Sequence, residues 1–327
     1  MATAKIVNRY RKTAVLTVVA VVFLIFVGGL VRMTGSGMGC PDWPKCFGQW
    51  IPPTDITQLP VDYKTRFQVA GKLIADFDPF KTWVEYINRL IGILIGFFAI
   101  LTVAASGPLR REQKKVFQLS VAGLLAIIFQ GLVGAYVVRT HLQVGTITVH
   151  MLIAIAIMGI YITALLNSYR NEILDQQTDV PQVPGILVYT GLAVIVLTLG
   201  QILLGTQVRE NVDIVAEQMG EENRMGWIAA LGGVYQVHRV FYYALAISLG
   251  FWLYRLQPWI RKPGLIQRLS LGATGVLIAS IMLGLGMHHL GIPKIFQPLH
   301  LLFATVLIGI EFGLLGVLFL LNRESKQ

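Results

Sequence analysis

Long, nearly continuous apolar runs separated by short polar connectors dominate the chain. Eight of these runs are long enough to cross about 30 Å of hydrocarbon as helices; they lie near residues 13–32, 84–106, 116–138, 146–168, 185–206, 232–254, 266–287 and 298–321. Part of the pattern is written twice. WVEYINRLIGILIG, from Trp83, lines up with GVYQVHRVFYYALAISLG, from Gly233, so that Asn88-Arg89 falls on His238-Arg239. Each copy is followed by an apolar run opening on a histidine, His150 in the first and His300 in the second, and in both cases the interval is 62 residues. The offset of 150 residues between the two copies also lays Gly134 on Gly284.

This pattern predicts an all-α membrane protein whose eight transmembrane helices form two repeated four-helix bundles. Four spans return the chain to its starting side, so the repeats share one orientation and are related by a pseudo-two-fold axis along the membrane normal. The N-terminal half covers residues 1–168 and includes a long outer loop, 33–83. A polar linker, 169–184, with Pro181 and Pro184, leads to the C-terminal half, 185–327. No small-residue cleavage site follows the first helix, which is therefore expected to be a retained span.

Composition agrees with this picture. With 55% hydrophobic and 13% charged residues and a mean hydropathy of +0.65, the chain has more apolar runs than one soluble core would use. Its net charge of +10 raises the question of nucleic acid, but the basic residues are dispersed among short loops. Lys5, Arg9, Arg11 and Lys12, then Arg110, Arg111, Lys114 and Lys115, then Arg255, Arg261, Lys262 and Arg268, and finally Arg323 and Lys326 all fall on one side. That side is cytoplasmic by the positive-inside rule, which puts both termini there, in a bacterial plasma membrane. The partner implied is the lipid bilayer, and no nucleic acid is expected.

Candidate chemistry gathers at the outer ends of the helices. His238 and His300 enter their spans at matching depth, the arrangement by which two imidazoles hold a haem between helices; structural hydrogen bonding or another metal are the other readings. In the first half Asn88 replaces one of the two histidines, leaving His150 either a single strong ligand or a core histidine. Glu85, three residues before Asn88, is a functional candidate because a carboxylate at membrane depth is costly, though Arg89 could neutralise it. Arg89 and Arg239 suit the anionic propionates of a haem or could snorkel to the interface. His141, His288 and His289 fall in short outer loops. Cys40 and Cys46, the only cysteines, sit in the outer loop as a disulfide, as two free thiols, or as a soft-metal or redox-exchange site. Tyr63 to Phe77 carries apolar residues at helical spacing, either an amphipathic helix on the outer leaflet or a packed cover.

The GGLVRMTGSGMGCPDWPKCFG segment, the EYINR motif, the eight spans and the histidines opening spans four, six and eight resemble the heme A synthase family over nearly the whole chain. The resemblance implies an oxidoreductase that converts the C8 methyl group of heme O to a formyl group by successive hydroxylations. It implies haem b, with its iron, held by His238 and His300 in the C-terminal half. His150 would lie at the substrate site, Glu85 would be catalytic, and Cys40 with Cys46 would match the family's first cysteine pair. Partners implied are heme O, a membrane enzyme that produces it, and the assembly of cytochrome oxidase. Asn88 departs from the histidine many members have there, and a second cysteine pair found in some is missing from 209–225. The rival functions are a b-type haem electron-transfer cytochrome, disfavoured because both sites would share one leaflet, and a haem assembly protein without catalysis.

Overall fold

A computed structural model describes residues 4–175, 183–260 and 264–324. Among them regular structure is helical, with no strand beyond two isolated bridges, Cys46 with Gln49 and Val69 with Lys72. The long helices are α1 (Ala4–Met33), α2 (Pro79–Ser106), α3 (Lys114–Arg139), α4 (Val144–Ser168), α5 (Gly185–Met219), α6 (Gly232–Arg255), α7 (Leu265–His289) and α8 (Phe296–Glu324). Seven of these described helices are long and apolar enough to cross a membrane; α6 is not among them. Its 24 residues form a continuous helix, but Tyr235, Gln236, His238, Arg239, Tyr242 and Tyr243 dilute its hydropathy. The basic residues Arg261, Lys262 and Lys326, and Pro181 of the linker, lie outside the described residues.

The chain divides into two compact units, Met1–Tyr161 and Ile162–Gln327. In the first, α2 packs on α1 and α3. The Thr17 and Thr102 hydroxyls meet at 3.0 Å between α1 and α2, and Ser120 reaches the Tyr10 hydroxyl at 3.3 Å. Such pairs satisfy polar atoms that lipid cannot. In the second unit α5 packs on α6 and α8, and α7 on α8. There Trp252 donates its indole N–H to the Leu187 carbonyl at 2.9 Å, and it can do so because Gly191 leaves room: a Cβ would stand 2.4 Å from its ring.

Two segments beyond the apolar runs differ from what periodicity suggested. Tyr63 to Phe77 does not form an amphipathic helix: only Tyr63–Arg66 is helical. Positive φ at Ala70 (50°) and Gly71 (75°) turns the chain, so Tyr63, Val69 and Ile74 pack with Cys40, Cys46, Phe47 and Leu59 as a cover. Phe67 and Phe77 set their rings edge-on to Phe47. On the second unit, α5 does not stop near residue 206. At 35 residues it is about 52 Å long, more than the hydrocarbon needs, so Arg209 to Met219 continue it beyond the apolar run. It ends at Gly220, whose φ of 75° closes the helix by an N–H bond to Ala216.

That extension bears a small core of its own. Trp227 is 1% exposed among Val212, Val215, Leu231 and Ile292, donates to the Gly220 carbonyl at 3.1 Å, and carries the Arg224 guanidinium 4.5 Å from its ring centre. Arg224 also donates to the Ile292 carbonyl and pairs with Glu221 at 2.8 Å. Trp227→Ala removes the centre of this core and is expected to destabilise it by about 3–5 kcal/mol, measured as a lower midpoint of unfolding in detergent. An unchanged midpoint would show that this cap contributes no stability.

Candidate functional site

In the first unit the Cys-bearing loop is tied down on the first turns of α2. That helix starts cleanly: Asp78 caps it by accepting from the Lys81 N–H at 3.2 Å, and Pro79 occupies its first position. Three turns of backbone then meet the loop. Thr82 donates to the Gly39 carbonyl at 2.9 Å, and Gly39 lies so close that a Cβ would be 2.4 Å from the Lys81 carbonyl oxygen. Glu85, 4% exposed, accepts the Cys40 N–H at 2.8 Å on one carboxylate oxygen and pairs with Arg89 at 2.5 Å through the other. Arg89 spends its remaining donors on the carbonyls of Cys40 (2.7 Å), Asp42 (2.6 Å) and Lys45 (3.0 Å). Asp42 in turn accepts from the Phe47 and Gly48 N–H groups. Cys40 and Cys46 are joined as a disulfide.

Glu85 and Arg89 are therefore partners, and the guanidinium faces loop carbonyls. A charged pair this buried is stable only when its remaining hydrogen bonds are filled, and the loop backbone fills them. Arg239, at the equivalent place in the second unit, is exposed and lies in electrostatic reach of Tyr235 and His288. Tyr235, the counterpart of Glu85, bonds through its hydroxyl to His288 Nδ1 at 2.7 Å. His288 and His289 are in the last turn of α7 rather than in a loop, and His141 occupies the turn after α3 with a φ of 52°.

The other candidates in the first unit share a different property. Asn88 Oδ1, Gln130 Oε1 and His150 Nδ1 are buried without a hydrogen-bond partner. His150 lies against one face of α3, where Gly134 would bring a Cβ to 3.1 Å of its Cε1 and Gln130 donates to its carbonyl at 2.8 Å.

The second unit brings His238 and His300 together, ring centres 6.5 Å apart with planes at 74°. Two imidazole nitrogens bound at about 2 Å to one metal put their ring centres on the order of 6 Å apart, so the pair fits an iron between them. His300 Nδ1 is 3.1 Å from the Ser280 carbonyl oxygen; as donor there, it leaves Nε2 for a metal, the usual support of a ligating histidine. Gln201 donates to the His238 carbonyl at 3.1 Å, while His238 Nδ1, Gln201 Oε1 and Gln297 Oε1 are buried and unpaired. Small residues let neighbours close in: a Cβ on Gly205 would be 3.4 Å from His238, and one on Gly284 3.7 Å from His300. Among the described residues no three His, Cys, Asp or Glu side chains cluster. A metal held by this pair would thus take its remaining ligands from elsewhere, as a porphyrin supplies them.

Sequence reasoning missed Glu311. It is fully buried on α8, accepts the Thr198 hydroxyl at 2.9 Å on one oxygen, and has its second oxygen unpaired. The Thr198 hydroxyl also lies 3.1 Å from the Val194 carbonyl, so its one proton is shared between two acceptors. The signal was available as a lone acidic residue within VLIGIEFGLLG.

The chain matches a protein family described as "Cytochrome oxidase assembly protein", COX15-CtaA, over residues 11–311. Among individual proteins it is similar to the Heme A synthase of Shewanella oneidensis, 27% identical over 62% of this chain and 57% of the relative. The Heme A synthase of Alkalihalophilus pseudofirmus is 27% identical over 54% of this chain and 51% of the relative. That of Shouchella clausii is 32% identical over 38% of this chain and 34% of the relative. The chain thus spans about half the length, or less, of the relatives it matches.

The disulfide is open to direct measurement. Intact mass of protein prepared without reductant, after alkylation under denaturing conditions, should show no added alkyl group. Two alkylated cysteines would mean that the loop closes without the covalent bond.

Proposed function

The chain belongs to the COX15-CtaA family of cytochrome oxidase assembly proteins, and from that premise we propose that it is a heme A synthase, oxidising the C8 methyl group of heme O to a formyl group. The observation that carries the reading is the chemical asymmetry of two histidine sites at equivalent sequence positions. In the second unit two imidazoles come within 6.5 Å, edge-on; in the first, the position of His238 is taken by Asn88, and Asn88 and His150 each keep a buried polar atom without a partner.

In this reading His238 and His300 ligate the iron of haem b, and Arg239 pairs with a propionate. Haem b, when bound, would supply one-electron redox chemistry, a task that two histidine ligands suit. His150 and Asn88 bind the substrate porphyrin, which two weaker contacts hold more exchangeably than two imidazoles would. Glu85 is the catalytic carboxylate. Fixed by Arg89 and the Cys40 N–H, it offers a negative charge that stabilises positive charge as electrons leave the substrate, or a base for the attacking water. Arg89 contributes by holding Glu85 and the loop in place. Helix α6 completes eight spans in two repeats, and its lower hydropathy follows from the ligand-bearing residues it must carry. The protein then sits in the plasma membrane with both termini cytoplasmic, receiving heme O from a membrane enzyme that makes it and supplying cytochrome oxidase assembly.

Haem extracted from purified protein should comprise haem b together with heme O or heme A; a single haem type would favour an electron-transfer cytochrome instead. Replacing His238 or His300 with Ala should abolish the bis-imidazole signal in electron paramagnetic resonance, and its survival in both variants would refute the ligand assignment. Glu85→Gln can still accept the Cys40 N–H, so it should keep haem b bound while heme A formation falls at least about a hundredfold. Normal heme A output from that variant would remove Glu85 from the chemistry.

A further inference from the structure

We propose that Gln130 determines substrate specificity at the N-terminal site by accepting a hydrogen bond from a hydroxyalkyl substituent on the porphyrin. The inference rests on the reading of that half as the substrate site and adds a residue and a recognised group to it. Gln130 and Gly134 are one turn apart on the same face of α3. Both abut His150, the glycine through the 3.1 Å approach to the ring that its missing Cβ permits, and the glutamine through its bond to the histidine carbonyl.

That bond fixes which end of the amide is free. A carbonyl oxygen only accepts, so the glutamine must present Nε2 to it and keep Oε1 for something else. Oε1 is buried and has no partner, and an acceptor left so is costly until a donor arrives. Asn88 Oδ1 is a second buried, unpaired oxygen in the same unit. The periphery of a haem offers few donors at neutral pH: methyl and vinyl groups have none, and propionates accept. A hydroxyl on a side chain is the donor that remains.

The corresponding position in the second unit is used differently. There Ser280 replaces glutamine, and its carbonyl takes the His300 Nδ1 contact at 3.1 Å with its hydroxyl 3.4 Å away. The position orients the histidine in one unit, while in the other it leaves the His150 ring nitrogen unbonded and presents an amide oxygen. At this position an amide oxygen is offered by the N-terminal unit and not by the second, where Gln201, on a different helix, donates to the His238 carbonyl and keeps its own Oε1 unpaired.

The test compares iron haematoporphyrin, which carries hydroxyethyl groups, with iron mesoporphyrin, which carries ethyl groups in their place. Each is titrated into the full-length protein with haem b in its C-terminal site, and the part of the Soret difference that vanishes in His150→Ala is assigned to the N-terminal site. The wild type should bind the hydroxylated porphyrin about tenfold or more tightly, and Gln130→Leu should reduce that ratio to near one, chiefly by weakening the hydroxylated ligand. Equal affinity for the two porphyrins in the wild type overturns the proposal without any variant, as does a ratio unchanged in a folded Gln130→Leu protein. Absence of any His150-dependent binding of either porphyrin would instead overturn the N-terminal site as the substrate site, and this inference with it.

Discussion

A polar side chain held among membrane helices has no water to fall back on, so it must pair within the bundle or wait for a ligand. That constraint sorts the polar residues of this chain. Thr17 with Thr102, Ser120 with Tyr10, and Trp252 with the Leu187 carbonyl are closed pairs; they fix helix register and need nothing further. Asn88, Gln130 and His150 in one unit, and His238, Gln201 and Gln297 in the other, each retain a buried atom without a partner. Left so, each costs about 1–3 kcal/mol. Three of them adjoin the histidines directly: Gln130 and Gln201 each donate to a histidine carbonyl, and Gln297 is one turn before His300. Trp83, Gln113, Tyr161, Ser270 and Glu311 also carry such atoms.

The sequence was most legible where physics repeats. A fixed 62-residue interval from Asn88 to His150 and from His238 to His300 singles out four positions, and the structure brings the two histidines of the second pair within 6.5 Å, edge-on. The apolar runs likewise mark where each long helix lies, because continuous hydrophobicity of that length has few other uses, although α1 starts well before its run and α5 ends well after its own. Legibility failed where structure depends on contacts distant in sequence. Nothing local reveals that Arg89 would bind three carbonyls of a loop more than forty residues earlier; the sequence offered Glu85, a propionate or the interface for its charge. Ala70 at positive φ decides a stretch that periodicity left between an amphipathic helix and a packed cover in favour of the cover. The continuation of α5 through Glu210, Asp213 and Glu217 was hidden because charge in a sequence marks the end of the membrane and says nothing about the end of the helix.

Glu311 shows a subtler limit. An acidic residue in an apolar run is conspicuous, yet its consequence depends on whether a cation stands opposite. Here the neighbour is Thr198, whose hydroxyl donates to the carboxyl group. The pair is one more polar pin between α5 and α8, the helices that also carry Gln201 and His300. It belongs with the closed pairs more than with the unpaired site atoms, although one of its oxygens remains open.

Each unit must also hold its outer connections against the helix ends, and the means differ. In the first, a disulfide closes the loop while Glu85 and Arg89 fasten its backbone to α2. In the second there are no cysteines; an arginine on an indole, with donors to the loop at Ile292, packs a miniature core around Trp227. The second anchor reaches the helix of His238 by packing, since Tyr235, one turn before that histidine, lies against the Trp227 core. The first reaches its helix through charged bonds: Glu85 and Arg89 flank Asn88, so whatever moves the loop moves the carboxylate. Anchoring thus runs through an ion pair in the unit proposed to turn over its haem, and through apolar packing in the unit proposed to retain it.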